Sequence, residues 1–302
     1  MRIAITGATG MIGSKLTAYL LANGHQITVI TRRNTLRTES PGIAVIVWDP
    51  SLEYIEIEKL EGFDVIIHLA GNNIGEYWTE EYKKSILKSR VESTKLLCKS
   101  LSKVISKPKI VICASAVGFY GNHPSTDLVD ENSPSGTGFL ANVCRQWEEV
   151  SFPLRKEGIR TVHMRLGVIL SKSGGALAKM LTPFQLGLGG RLGNGQQMLS
   201  WIALDEIPYV VEHIIKDNLL LGGVNVVSPQ AVSNARFTEI LGQVIHRPTF
   251  LPCPGFMVRL FFGEMGQQLL LEGVNVIPRR LQQSGYQFRF PELKAVLEKV
   301  VK

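Results

Sequence analysis

Thr6-Gly7-Ala8-Thr9-Gly10-Met11-Ile12-Gly13 follows a short apolar run, Arg2–Thr6, and opens an amphipathic one near Ile12–Ala22. Read outward, this is a strand, a glycine turn and a helix, with a second apolar strand, Gln26–Thr31, about twenty residues further on. Glycines spaced this way serve ordinary turns too, so the flanking elements carry the reading. A helix N-terminus presents unpaired N–H groups and the positive end of its dipole to a pyrophosphate. Gly7 and Gly10 let the backbone approach such a group, and Gly13 lets helix and strand pack closely. The stretch therefore predicts a dinucleotide-binding turn.

The end of the second strand selects the dinucleotide. A site for NAD usually carries an acidic residue there, which accepts from the ribose hydroxyls. This chain has Thr31-Arg32-Arg33 instead, so a guanidinium can hold a 2′-phosphate and the expected cofactor is NADP. Asp49, just past the third strand, is placed to meet the adenine.

Beyond the turn, Ala44–Trp48, Val65–Leu69, Lys109–Ala114 and Thr161–Leu166 read as strands, separated by helical runs near Glu80–Val104 and Leu140–Glu157. Several are continuous Val/Ile runs without alternation, as strands buried on both faces of a parallel sheet are. The expected fold is α/β: a Rossmann-type, doubly wound parallel sheet with a smaller, mostly helical C-terminal substrate subdomain. Residues 1–227 form the NADP-binding part and 228–302 the cap. A glycine-rich, loop-like insertion at about 171–200 contributes to the substrate pocket. Within the first part, Asp205 reads as the N-cap of a helix running to Lys216, and Val224–Val227 as one more strand; Ser233 or Asn234 caps the next helix.

The 302 residues are 45% hydrophobic and 20% charged, with a net charge of +7. The basic residues are spread along the chain, with pairs at Arg32-Arg33, Lys83-Lys84 and Arg279-Arg280. Dispersal of this kind argues against a nucleic-acid-binding face and fits an anionic small-molecule ligand. No apolar run is long enough to span a membrane, and Met1-Arg2 leads into the first strand without a signal-peptide pattern. The four cysteines, Cys98, Cys113, Cys144 and Cys253, have neither zinc-site nor disulfide-framework spacing. A cytoplasmic protein with reduced thiols and no metal is the expectation.

These motifs resemble the extended short-chain dehydrogenase/reductases: the glycine turn, His68-Leu69-Ala70-Gly71 after the fourth strand, and Ser115-Ala116-Val117-Gly118-Phe119-Tyr120-Gly121 after the fifth. Trp78-Thr79, Ser89-Arg90-Val91-Glu92-Ser93-Thr94, the run Phe139–Glu148, Pro183–Gly190, Ser200-Trp201-Ile202, Gly263-Glu264-Met265 and Val276-Ile277-Pro278 narrow the match. They are similar to the "epimerase family protein" branch, which ends in a domain of unknown function and is described as NADP-dependent oxidoreductases or epimerases of unassigned substrate. The resemblance implies cofactor contacts at Thr6, Gly7, Thr9, Gly10, Met11, Ile12 and Gly13, at Arg32, and at Leu69-Ala70-Gly71 beside the ribose. Leu166-Gly167-Val168 would line the nicotinamide end. His68 reads as a packed strand residue.

Relatives that catalyse use a Ser or Thr and then Tyr-x-x-x-Lys on the next helix. Here Leu140 falls at the tyrosine position and Cys144 at the lysine position. Leucine has no proton to give, and cysteine supplies no fixed cation. Ser115 matches the first group, and Arg90 falls where many relatives carry asparagine. Ser115, Arg90, Tyr120 and Cys144 are the catalytic candidates that remain. Two readings stay open: an NADP(H)-dependent oxidoreductase or epimerase acting on a small molecule between the sheet edge and the last quarter of the chain, or a non-catalytic NADP(H)-binding sensor or partner-binding protein.

Overall fold

The structure is a computed structural model that describes residues 1–32 and 43–301. Arg33 lies outside the described residues. The main sheet contains β1 (Arg2–Thr6), β2 (Gln26–Thr31), β3 (Ala44–Asp49), β4 (Tyr54–Ile55), β5 (Val65–His68), β6 (Ile110–Ala116), β7 (Arg160–Leu166) and β8 (Gly222–Val226). Their spatial order is β8-β7-β6-β5-β1-β2-β3-β4. All neighbours are parallel except β4, which returns antiparallel on β3. The chain winds outward from β1 in one direction and from β5 in the other. The crevice between their C-terminal ends is the switch point where open α/β sheets bind ligands.

Both faces of the sheet are covered, which is why its strands are continuous apolar runs. Ile3, Ile5, Val65, Ile67, Ile110 and Ile112 face one core, shared with helix α1 (Met11–Ala22). Ala4, Ile66, Val111 and Cys113 alternate with them and face a second core, built with α2 (Glu80–Leu101). After α2 come α3 (Phe139–Glu149), α4 (Gly175–Gln185), α5 (Ile207–Lys216), α6 (Asn234–Ile245), α7 (Gly255–Gly266), α8 (Arg279–Gln283) and α9 (Leu293–Val301). No helix among the described residues is long and apolar enough to cross a membrane.

Two local expectations are corrected. The segment after Ser173 is not all loop: α4 fills its first half, carrying Pro183 inside it, and the glycine-rich loop begins only after its C-cap, Leu186. Asp205 caps nothing. A 3₁₀ turn, Leu204–Glu206, intervenes before α5, and the Asp205 carboxylate bridges Lys15 and Lys299 at 2.6 Å each. Ser233 is the N-cap of α6, accepting from the Arg236 amide.

The last quarter is helical, but it is sewn into the sheet domain. Val232–Ser233 pairs with Met198–Leu199, and Asn275–Val276 with Leu128–Val129. Glu206 is 1% exposed and accepts from the Tyr286 hydroxyl and the Arg289 and Phe290 amides. Glu131 accepts from the amides of both Asn225 and Arg280. A buried carboxylate needs such donors to stay charged, so each side of the boundary expected at residue 227 satisfies groups of the other.

Candidate functional site

The glycine turn builds the first part of the site. Gly7 sits at φ +69°, and a Cβ there would lie 2.9 Å from the Leu69 carbonyl carbon. A Cβ on Gly13 would lie 2.2 Å from the Gly7 oxygen. The turn is therefore as tight as a backbone can make it, and only glycine fits at both places. Gly10 caps α1 with no side-chain bond, and the first turn holds no acidic residue. The first intrahelical bond runs from the Ser14 amide to the Gly10 oxygen, 2.8 Å. The amides of the first turn are left for an anion, with the dipole favouring one. A cavity of about 680 Å³ opens beside this turn, lined by Thr9, Met11, Lys15, Lys172 and Lys299 among others.

Thr6 plays a different part from the contact expected of it. It is fully buried, and its hydroxyl oxygen accepts from the Leu69 and Ala70 amides at 3.1 and 3.2 Å. Its own proton then goes to His68 Nδ1, 2.7 Å away. That leaves His68 Nε2 to donate to Thr94 Oγ1, 3.0 Å, which also accepts from the Trp147 indole and donates to the Arg90 carbonyl. Burial pushes the His68 pKa down to about 4, so the imidazole stays neutral and this single tautomer satisfies every group. One hydroxyl thus fixes the strap Leu69-Ala70-Gly71 against the glycine turn.

At the far side of the crevice, Arg32 ends β2 exposed, beside Asp49 at the end of β3. The Asp49 carboxylate accepts from the Ser51 amide and hydroxyl at 2.9 and 2.6 Å, and these bonds hold its pKa below the usual range. It is thereby committed to capping the turn Pro50–Leu52, which leaves less of it for an adenine. Of the nicotinamide-end residues, Leu166 is buried in the core. Gly167 is pressed against Ser200, whose oxygen would lie 2.6 Å from an added Cβ, and Val168 is half-buried.

Three of the four catalytic candidates turn inward. Ser115 is 2% exposed and donates to Glu148 Oε1 at 2.7 Å. Glu148 is gripped at both oxygens by Arg165, at 2.9 and 2.8 Å. Arg165 also donates to the Tyr120 hydroxyl, which donates to Asn225 Oδ1. Tyr120 is fully buried with its pKa pushed up to about 12, mainly by burial. Cys144 is also buried, and desolvation again raises its thiol to about 12, which keeps it a thiol. Ser115, Glu148, Arg165, Tyr120 and Asn225 form a polar lattice joining β6, β7, β8 and α3, and Cys144 is buried without entering it. Glu148 and Arg165 were not anticipated as partners. The signal was present: each is a charge on an element that packs into the core, where only a buried partner makes it tolerable.

Arg90 alone faces the crevice. Its Nη2 donates to the Asn72 oxygen at 3.0 Å and its Nη1 to the Ile86 oxygen at 3.2 Å. Its guanidinium lies 5.1 Å from the centre of the Trp147 ring. Over this end of the groove, the loop 72–78 is tied to α4 by Lys179, which reaches the Gly75 oxygen at 2.6 Å. The C-terminal part closes the same side: Lys83 pairs with Glu264 at 2.9 Å, and Gln268 accepts from the Leu140 amide. Helix α7 can turn here because Gly263 adopts φ +55° within it.

Comparison with known proteins agrees with this geometry. Residues 3–206 match the NAD dependent epimerase/dehydratase family, and residues 253–300 match a domain of unknown function, DUF1731. The chain is 37% identical over 306 residues to the Homo sapiens epimerase family protein SDR39U1, covering all of both chains. It is 39% identical over 287 residues to Mycobacterium tuberculosis epimerase family protein MT2273, covering 95% of this chain and 93% of that one. A crystal structure of human SDR39U1 with NADPH superposes with a TM-score of 0.88 at 35% identity, covering 99% of each chain.

Proposed function

Since this chain belongs to the NAD dependent epimerase/dehydratase family, we propose that it binds NADP(H) and acts as an oxidoreductase or epimerase on a small, anionic molecule. The observation that carries this reading is the cradle itself: Gly7 and Gly13 let the turn close on its own backbone where no side chain would fit, under a helix N-terminus with no competing carboxylate. The crystal structure of the human relative with NADPH supports the same cofactor. Arg32, Gly7, Gly10, Met11, Ile12 and Leu69-Ala70-Gly71 would hold it from the 2′-phosphate to the second ribose. When bound, the nicotinamide supplies hydride chemistry. The residues of the chain orient it, with the strap and the Lys179 tie limiting water above it and the C-terminal part as the facing wall. The substrate would lie between that wall and the sheet edge.

The ordinary proton donors of such a site are replaced by Leu140 and Cys144, and Ser115, Tyr120 and Cys144 are occupied or inert. That favours, as a second reading, a protein that binds NADP(H) without turning it over. Incubation with NADPH deuterated at C4 and a panel of carbonyl compounds, including keto acids and 4-keto nucleotide sugars, separates the two. Deuterium in a product supports the enzyme. Tight binding with no transfer to any of the panel supports the sensor.

A further inference from the structure

Arg90 is a cation without an anion. Among the described residues it makes no ion pair, and both of its acceptors are neutral backbone carbonyls. Burial of the guanidinium opposes its charge, and a half-buried charge is costly unless it is compensated. A guanidinium has five N–H donors and never gives up its proton, so several remain for something that is not protein. Gly71 keeps this group uncovered: a Cβ there would sit 3.3 Å from the Arg90 Cζ. The strap that Thr6 fixes against the phosphate turn therefore ends directly against a cation whose protein partners are two carbonyls and the Trp147 ring.

The sheet order says what belongs there. Arg32 is at the end of β2, the glycine turn follows β1, and Arg90 lies against the residues that follow β5. A dinucleotide laid along this edge with its adenosine 2′-phosphate at Arg32 and its pyrophosphate at the turn reaches Arg90 with its second ribose. Accordingly, we propose that Arg90 donates to the hydroxyls of the nicotinamide ribose and supplies the fixed positive charge at the reacting end of the cofactor. The charge comes from α2, whereas the neighbouring position on α3, Cys144, is a buried neutral thiol. Because the guanidinium does not titrate, it positions and polarises without exchanging a proton. This assignment rests on NADP(H) binding as proposed above, but not on turnover.

The test is a comparison of two ligands by calorimetry or fluorescence: NADPH, and adenosine 2′,5′-bisphosphate, which lacks the nicotinamide ribose. Arg90→Asn should weaken NADPH about ten- to a hundredfold, the size of one lost charge-assisted hydrogen bond, and leave the bisphosphate within about twofold. Adding Cys144→Lys to Arg90→Asn should recover part of the NADPH affinity by returning the cation from α3. Should Arg90→Asn fail to fold, Arg90→Lys carries the test, with the same difference between ligands in smaller size. Equal weakening of both ligands, or of neither, overturns the assignment. A protein that transfers hydride to nothing yet shows the ligand difference would overturn the enzyme reading and leave Arg90 in place.

Discussion

Thr6→Val is the most informative single change, because it is nearly isosteric and removes one oxygen that three groups share. The Ala70 amide loses its acceptor and His68 Nδ1 its donor, while the Leu69 amide keeps only its longer bond to the Thr6 carbonyl, 3.3 Å. An orphaned polar group costs about 1–3 kcal/mol, the buried imidazole nitrogen more than the half-buried amides. Taking about 1 kcal/mol for the Ala70 amide and about 2 for the imidazole gives a loss of about 3 kcal/mol. Thr6→Ser keeps the hydroxyl and loses only a methyl, about 1 kcal/mol. Urea unfolding of both variants at neutral pH reads the difference as a shift in midpoint at constant slope. The Val variant should also bind NADPH more weakly, since the strap is no longer fixed against Gly7. A Val variant as stable as the Ser variant would refute the shared-oxygen account and the His68 tautomer deduced from it.

Arg32→Asp should erase a preference for NADP(H) over NAD(H), which lacks the 2′-phosphate, of about ten- to a hundredfold in Kd; equal affinities in the unmutated chain would remove the basis for it. Acid should destabilise the fold. His68 and His163 are held at about 4 by burial, below the ordinary 6.5, so the unfolded chain takes up protons that the folded one refuses. Their contribution is complete above pH 6.5 and is lost as pH falls toward 4, at about 1.4 kcal/mol per unit for each. Glu131, raised by burial, works in the opposite sense, so urea midpoints at pH 7.5, 6 and 5 measure the balance, and a flat profile contradicts it. Deleting residues 228–302 should prevent cooperative folding, because Glu206 loses the Tyr286, Arg289 and Phe290 donors and Glu131 loses the Arg280 amide; a truncated chain that melts cooperatively and still binds NADPH would re-establish two separable domains.

The extent to which the site could be read in advance differs by interaction range. The turn Gly7–Gly13 was legible because its glycines answer to contacts within a few residues and to the strand and helix that flank them. The strands were legible as Val/Ile runs for the same reason: burial on both faces leaves a local mark. The glycine-rich stretch misled: Leu177, Leu181 and Phe184 recur at helical spacing and pack α4 into the C-terminal core, a pattern masked by the glycines and Pro183 around it. Asp205 looked like a cap until Lys15 and Lys299, from opposite ends of the chain, claimed it.

By itself the sequence determined the α/β class, the order of the sheet strands along the chain, the phosphate turn and the absence of Tyr-x-x-x-Lys from α3. Each of these is a property of neighbouring residues. Only the tertiary structure decided which polar side chains face the crevice and which face one another. Ser115, Tyr120 and Cys144 carry the same chemistry as residues in a working site, and their partners Glu148, Arg165 and Asn225 stand up to about a hundred positions away in the chain, brought near only by packing of non-local elements. Whether a hydroxyl donates to a ligand or to a buried carboxylate depends on the strand that lies beside it in space. For the same reason Arg90 emerges as the cation at the crevice: Gly71, Asn72 and Trp147 meet around it only once β5, α2 and α3 have come together.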